Sequence, residues 1–160
     1  SRYDDSDPLD NERRRAIHDC VQAYPGIYPS AIGERTDTPL STVRYHLDVL
    51  HEESLLDRES ISGKRRYFPP GEDAKRLVAA LRDESRRAIL EALAERGAAT
   101  GAELAVDLER NKSTIAHHLG RLEDEGLIER EREGRTVLNR PTPEVREVLG
   151  SQKGLVGADD

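Results

Sequence analysis

Ser41, Thr42, Arg44 and Tyr45 put two hydroxyls, a guanidinium and a phenol within five residues. The chemistry open to such a set is recognition rather than bond making. A guanidinium offers forked donors to the edge of guanine, worth ~1–3 kcal/mol of discrimination, and hydroxyls suit phosphate oxygens. At ~100° per residue, Ser41, Arg44, Tyr45 and Asp48 fall on one outward arc of a helix, opposite Val43, Leu47, Leu50 and Ser54. A parallel set follows in Lys112, Ser113, Thr114, His117 and Arg121, where Ala116 and Gly120 permit close approach but specify little. Lys64-Arg65-Arg66, just after Ser62-Gly63, is a short basic run at a turn, suited to gripping phosphate. Arg135 is its counterpart beside Gly134.

These sets are positioned by a duplication. The segment from Ser41 to Leu50 returns from Ser113 to Leu122, displaced by 72 residues. The offset holds without a gap from Arg14-Arg15-Ala16-Ile17 on Arg86-Arg87-Ala88-Ile89 to Leu55–Glu59 on Leu127–Glu131. Two copies of so long a unit indicate two small domains, not an array. The turn glycines Gly63 and Gly134 are 71 apart, which predicts a hairpin one residue shorter in the second copy.

Within each copy the apolar spacing predicts three helices and a hairpin. Ile17, Cys20, Val21 and Tyr24 line the first helix, ended by Pro25-Gly26; Ile89, Ala92 and Leu93 repeat that face up to Gly97. Pro29 opens a short second helix anchored by Ile32, and Thr100 with Glu103 forms a capping box ahead of Leu104 and Leu108. Turns at Asp37-Thr38-Pro39 and Glu109-Arg110-Asn111 lead into the third helix, whose inner face in the second copy is Ile115, Leu119 and Leu122. Extended runs begin at Leu55-Leu56 and Leu127-Ile128, return at 65–68 and 135–138, and close on Pro69 and Pro141. Between the copies, Leu77, Val78 and Leu81 form the stripe of a connecting helix, either a spacer packed on its own domain or a dimer or interdomain seam. This gives an arm over 1–11, a first domain over 12–71, the connector over 72–84, a second domain over 85–142, and a short helix and frayed tail over 143–160.

Helix, helix, tight turn, helix and hairpin is the order of a winged helix-turn-helix. The third-helix pattern S-T-[VI]-x-x-H-L-x-x-L, followed by [SG]-L-[LI], resembles DNA-binding regulators of the ArsR and MarR type. Arg86–Leu93 resembles the first helix of an ArsR-type domain. The resemblance implies a mainly α fold with small β-hairpins (α+β), built as two tandem winged helix-turn-helix domains. It also implies a cytoplasmic, homodimeric, sequence-specific regulator of transcription whose partner is double-stranded DNA. The DNA contacts it implies are Ser41, Thr42, Arg44, Tyr45, Lys64, Arg65, Arg66, Lys112, Ser113, Thr114, His117, Arg121 and Arg135. With 32 acidic against 25 basic residues and lysine only at 64, 75, 112 and 153, the chain resembles such regulators from salt-loving archaea.

A net charge of −7 argues against a polyanion partner unless the medium is concentrated salt, where the Debye length shrinks to ~3 Å at 1 M. The wing from Glu129 to Arg135 alternates in sign, suiting cross-strand pairing better than phosphate, so the first copy is expected to be the DNA reader. The second would then serve docking or dimerisation. A rival is a non-catalytic scaffold whose tandem winged helices bind other proteins. His46 and His118 occupy matching positions beside core leucines and are expected to pack there rather than hold metal. Cys20, the only cysteine, is expected in the core, with redox sensing as the alternative. No glycine-rich phosphate loop, nucleophile motif or zinc-ligand spacing indicates an enzyme, a metal or a cofactor. No apolar run spans a membrane and no secretory signal is evident; the lack of Met fits either a removed initiator or a piece of a longer chain.

Overall fold

The computed structural model describes residues 7–61 and 63–150. Most of the expected arm, Ser62 of the first turn and the tail beyond Gly150 lie outside the described residues. The chain divides into two compact units, one reaching Ala74 and the other beginning at Lys75.

The first unit opens with a single 3-10 turn, Pro8–Asp10, followed by α1 (Glu12–Ala23), α2 (Pro29–Thr36) and α3 (Leu40–Glu52). An antiparallel hairpin of β1 (Asp57–Ile61) and β2 (Lys64–Phe68) completes it. Asn11 starts α1 because its side-chain oxygen accepts the Arg14 N–H at 2.9 Å, satisfying an amide the helix leaves without a partner. Pro29 fits the first turn of α2, where its missing N–H costs nothing. Asp37 ends that helix in the left-handed region, φ 51°, and the chain turns into α3. Ile17, Val21, Ile32, Val43, Leu47 and Leu50 seal the centre. Burying each such side chain stabilises by about 1.5–3 kcal/mol, which is what holds α3 at a fixed angle. Ser54 does not join that face: α3 stops at Glu52, and Ser54 is exposed with φ 62°.

Across the unit boundary runs α4 (Glu72–Arg82), with Leu77, Val78 and Leu81 buried. The second unit contains α5 (Glu84–Arg96), β3 (Ala99–Thr100), α6 (Gly101–Leu108), α7 (Lys112–Asp124), β4 (Ile128–Glu133), β5 (Thr136–Pro141) and α8 (Pro143–Gly150). Its inner side chains are Ile89, Leu90, Leu93, Leu104, Ile115, Leu119 and Leu122. Leu90 rather than Ala92, which is half-buried, shares the inner face of α5. The capping box is present: Thr100 Oγ1 accepts the Glu103 N–H, and the Glu103 carboxylate accepts the Thr100 N–H.

Two differences from sequence expectation concern the hairpins. Ile61 pairs with Lys64 and Glu133 with Thr136, so both turns hold two residues and the 72-residue offset runs unbroken. The glycine has moved within the turn, from its second place at Gly63 to its first at Gly134; both have positive φ, 80° and 64°. The second sheet also has a third strand that periodicity did not reveal, in the order β3-β5-β4. Two residues carry no period. In the first unit its counterpart is a lone bridge, Ile27 to Tyr67.

Candidate nucleic-acid interface

α3 turns Val43, Leu47 and Leu50 inward, so its other side must face out. Ser41, Arg44 and Asp48 are exposed, Thr42 is half-buried, and Tyr45 is 53% exposed. Its ring meets the edge of His46 at 5.2 Å between centroids and lies 5.9 Å from the Arg14 guanidinium, which leaves the rest of the phenol open to solvent. Beneath it, Arg14 of α1 ties down the helix. Its Nε donates to His46 Nδ1 at 3.1 Å and its guanidinium reaches the Pro8 carbonyl at 3.1 Å. That bond fixes the tautomer of His46, with Nδ1 as acceptor. Burial, then the charges of Arg14 and Arg13, push the His46 pKa down, so the ring is neutral. Arg13 donates to Thr38 Oγ1 at 2.8 Å, bracing the turn between α2 and α3. No side chain caps the start of α3, whose N-cap position is Pro39.

On the wing, Lys64 and Arg65 are exposed. Arg66 corrects the expectation of a three-residue basic grip. It is 9% exposed, donating to the Gly26 carbonyl at 2.9 Å and to the Tyr28 hydroxyl at 2.5 Å. Its place on a strand shared with buried Phe68 two residues on was the available signal.

α7 presents Lys112, Ser113, Ala116, His117 and Arg121 outward, with Thr114 half-buried. Its start is occupied. Asn111 Oδ1 accepts both the Thr114 N–H and the Ser113 hydroxyl at 2.8 Å. Arg121 lies 3.4 Å from Glu125, so the cation expected to face outward is already matched by an acid. Arg135 is exposed at the wing tip, while Arg130 and Arg140 lie 3.7 Å from Glu123 and Glu131. The second wing thus pairs Glu131 with Arg140 of its other strand and Arg130 with α7.

Cys20 is 8% exposed in the first core, and burial raises its thiol pKa, partly offset by Arg35. Burial and the net rise disfavour the thiolate and agree with the expected place of Cys20 in the core. Among the described residues no group of three or more His, Cys, Asp or Glu side chains is placed to hold a metal, and no helix is long and apolar enough to cross a membrane.

Sequence reasoning missed Arg86, the counterpart of Arg14. It is 5% exposed, with Nε 2.7 Å from Asp83 and NH1 2.6 Å from Glu125. Burial works against its charge, but the two carboxylates outweigh it and raise the pKa. Its spacing three residues before Ile89 was the signal that it faces inward.

Comparison with known proteins follows the same division. Residues 11–79 match the family described as an N-terminal HTH domain, and residues 83–130 match the bacterial regulatory protein, arsR family. An uncharacterized HTH-type transcriptional regulator of Methanocaldococcus jannaschii is 26% identical over 136 residues, covering 84% of this chain and 34% of that protein. The chain thus spans about a third of the length of this curated relative. Among solved structures, HlyU from Vibrio cholerae is 28% identical, covering 52% of this chain and 91% of that one, with a TM-score of 0.47. The transcriptional repressor PagR of Bacillus anthracis is 20% identical, covering 48% and 88%, with a TM-score of 0.45. The chain is a tandem of two helix-turn-helix domains, the first matching an N-terminal HTH domain and the second similar to the arsR family.

Proposed function

We propose that the protein binds double-stranded DNA sequence-specifically and that the first unit is the main reader. The observation carrying this is the exposed arc of Ser41, Arg44 and Tyr45 on a helix whose opposite face is sealed, in a unit whose wing exposes Lys64 and Arg65. In this reading Arg44 and Tyr45 enter the major groove, Ser41 and Thr42 meet phosphate at the start of α3, and Lys64 and Arg65 grip the backbone. Lys112, Ser113, Thr114, His117 and Arg135 add a weaker second contact. Arg121 is already matched by Glu125 and contributes least. The similarity to the archaeal HTH-type transcriptional regulator supports a role in transcription. A cytoplasmic homodimer, with arm, two winged domains, connector and tail divided as the sequence predicts, completes the proposal.

Selection of duplexes from a random pool in concentrated potassium salt, followed by titration of variants, tests it. Arg44→Ala is expected to cost ~1–3 kcal/mol on the selected site and to relax preference at one position. Lys64→Ala is expected to weaken selected and random duplexes alike and lower the salt slope by about one. A pool that shows no enrichment with the wild-type protein ends the proposal.

A further inference from the structure

Wing and helix-turn-helix are joined differently in the two units. In the second, β3 continues the sheet: Ala99 pairs with Asn139 and Thr100 with Leu138, while the Asn139 amide donates to the Ala99 carbonyl at 3.0 Å. In the first, an isolated bridge joins them through residues 26, 27 and 67. Gly26 N–H donates to Tyr67 O at 2.7 Å, and Tyr67 N–H donates to Ile27 O at 3.2 Å. The next pair in register would be Tyr28 with Arg66, but Pro29 follows and brings no N–H to extend a ladder. Side chains hold this place instead. The Arg66 guanidinium lies over the Tyr28 ring, 4.3 Å from its centroid, while donating to the Tyr28 hydroxyl at 2.5 Å and the Gly26 carbonyl at 2.9 Å. Tyr28 is also the N-cap residue of α2, the helix that leads into the turn before α3. Lys64 Nζ sits 5.8 Å from the same ring.

We propose that Arg66 and Tyr28 are positioning residues, a latch that sets the angle of the first wing against α2 and so decides whether Lys64 and Arg65 reach the DNA backbone. This deepens the DNA-binding reading and rests on it. Arg66 then acts through the wing without touching nucleic acid. A buried charged hydrogen bond is geometrically demanding, so losing it frees the wing while the rest of the core stays packed.

Two arms test this on the full chain. The first needs no DNA: amide hydrogen exchange across 57–68 is expected to speed up by about tenfold in Tyr28→Phe and Arg66→Met, with 12–22 unchanged. Tyr28→Phe keeps the ring and the fold and removes only the hydroxyl. The second arm measures binding to a selected duplex. Tyr28→Phe is expected to lose about tenfold in affinity and to flatten the salt slope. Adding Lys64→Ala and Arg65→Ala to it should cost little more, whereas Arg44→Ala should add in full. A general loss of stability would instead be additive with both. If Tyr28→Phe binds like wild type while Arg66→Met does not, Arg66 contacts DNA itself and the latch is overturned. If the wild-type chain binds no duplex, the DNA reading fails alone, and unchanged exchange in both variants overturns the latch separately.

Discussion

Arg14 and Arg86 stand 72 residues apart at the same place in two copies of one fold, yet they do different work. Arg14 faces a neutral ring, donating to His46 Nδ1 at 3.1 Å. Arg86 turns to Asp83 and Glu125, and the matching His118 is left with a buried Nδ1 that has no hydrogen-bond partner. One substitution accompanies the divergence. The first unit has Asn11 where the second has Asp83; Asn11 caps its helix, whereas the Asp83 side chain caps nothing and pairs with Arg86. The second unit has thereby turned its charged groups on one another. In the first, the arginine at this place meets uncharged partners, the His46 ring and the Pro8 carbonyl, while Lys64 and Arg65 of the wing are exposed. Duplication preserved the scaffold and let the surface chemistry separate.

The largest expected effect breaks this difference where it is buried. Arg86→Met strands Asp83 and leaves Glu125 with only the longer Arg121 contact at 3.4 Å. Removing one member of a buried pair costs about 3–5 kcal/mol, and the partial exposure of both acids lowers the expectation to about 2–4. Arg14→Met removes uncharged partners only, the His46 ring and the Pro8 carbonyl, at a half-buried place, and is expected to cost about 1–2 kcal/mol. Urea unfolding with exchange followed separately in α1 and α5 measures both. Equal losses in the two variants would show that the pairing in the second unit carries no extra weight.

A second contrast lies in the turn before the third helix. Gly33 corresponds to Ala105, which is buried at 8% exposure. A Cβ at Gly33 would lie 2.8 Å from the Thr38 carbonyl oxygen, a backbone atom of the turn that Arg13 braces through the Asp37 carbonyl and the Thr38 hydroxyl. Gly33→Ala is therefore expected to destabilise the first unit by about 1–3 kcal/mol, as overpacking does. Ala105→Gly relieves no clash and is expected to cost only about 0.5–1 kcal/mol through backbone entropy. Urea midpoints that shift alike in both variants would refute the tighter packing of the first turn.

The caps give a smaller effect in the other direction. Asn111→Ala removes the side chain that satisfies the first turn of α7, at about 1 kcal/mol. Pro39, its counterpart, makes no such bond, so Pro39→Ala is expected to change helix stability by less than half of that, or about 0.5 kcal/mol at most. Thermal unfolding of the two variants checks the ordering.

Legibility in the sequence followed periodicity. The inner faces of the third helices could be read because 3.6-residue spacing survives in thirteen-residue helices, and Thr100 with Glu103 announced a helix start by type and spacing alone. The two-residue strand Ala99–Thr100 could not be read, because it has no period and exists only through its partner β5. Arg66 was hidden by its neighbours: three cations in a row look like one exposed patch, although alternation along β2 puts Arg66 and Phe68 on one side. The glycines misled in a different way. Gly63 and Gly134 suggested a shortened hairpin, but a two-residue turn accepts positive φ at either place, so the glycine moved while the register did not.

Acid response separates the units last and least. Burial lowers the pKa of both His46 and His118, although Asp83 partly opposes this at His118, where His117, Arg110 and Arg86 add to it. A ring kept neutral in the fold contributes stability above the free histidine range, and that stability fades as pH falls through about 6.5. Both units share this loss. Asp83 behaves differently: its hydrogen bond from Arg86 holds the carboxyl below the usual range, and Glu103 is held down likewise by the Thr100 N–H. Their contribution is complete above the free carboxylate range, about pH 5, and disappears as pH drops through the lowered folded values. Asn11 carries no charge, so the first unit has no counterpart to the Asp83 loss. Unit-resolved exchange from pH 7 to 3 is therefore expected to show parallel declines to about pH 5 and a steeper decline of α5 below pH 4. Asp83→Asn should flatten that last segment in α5 and leave α1 unchanged; an unaltered acid limb in the variant would assign the loss to other groups.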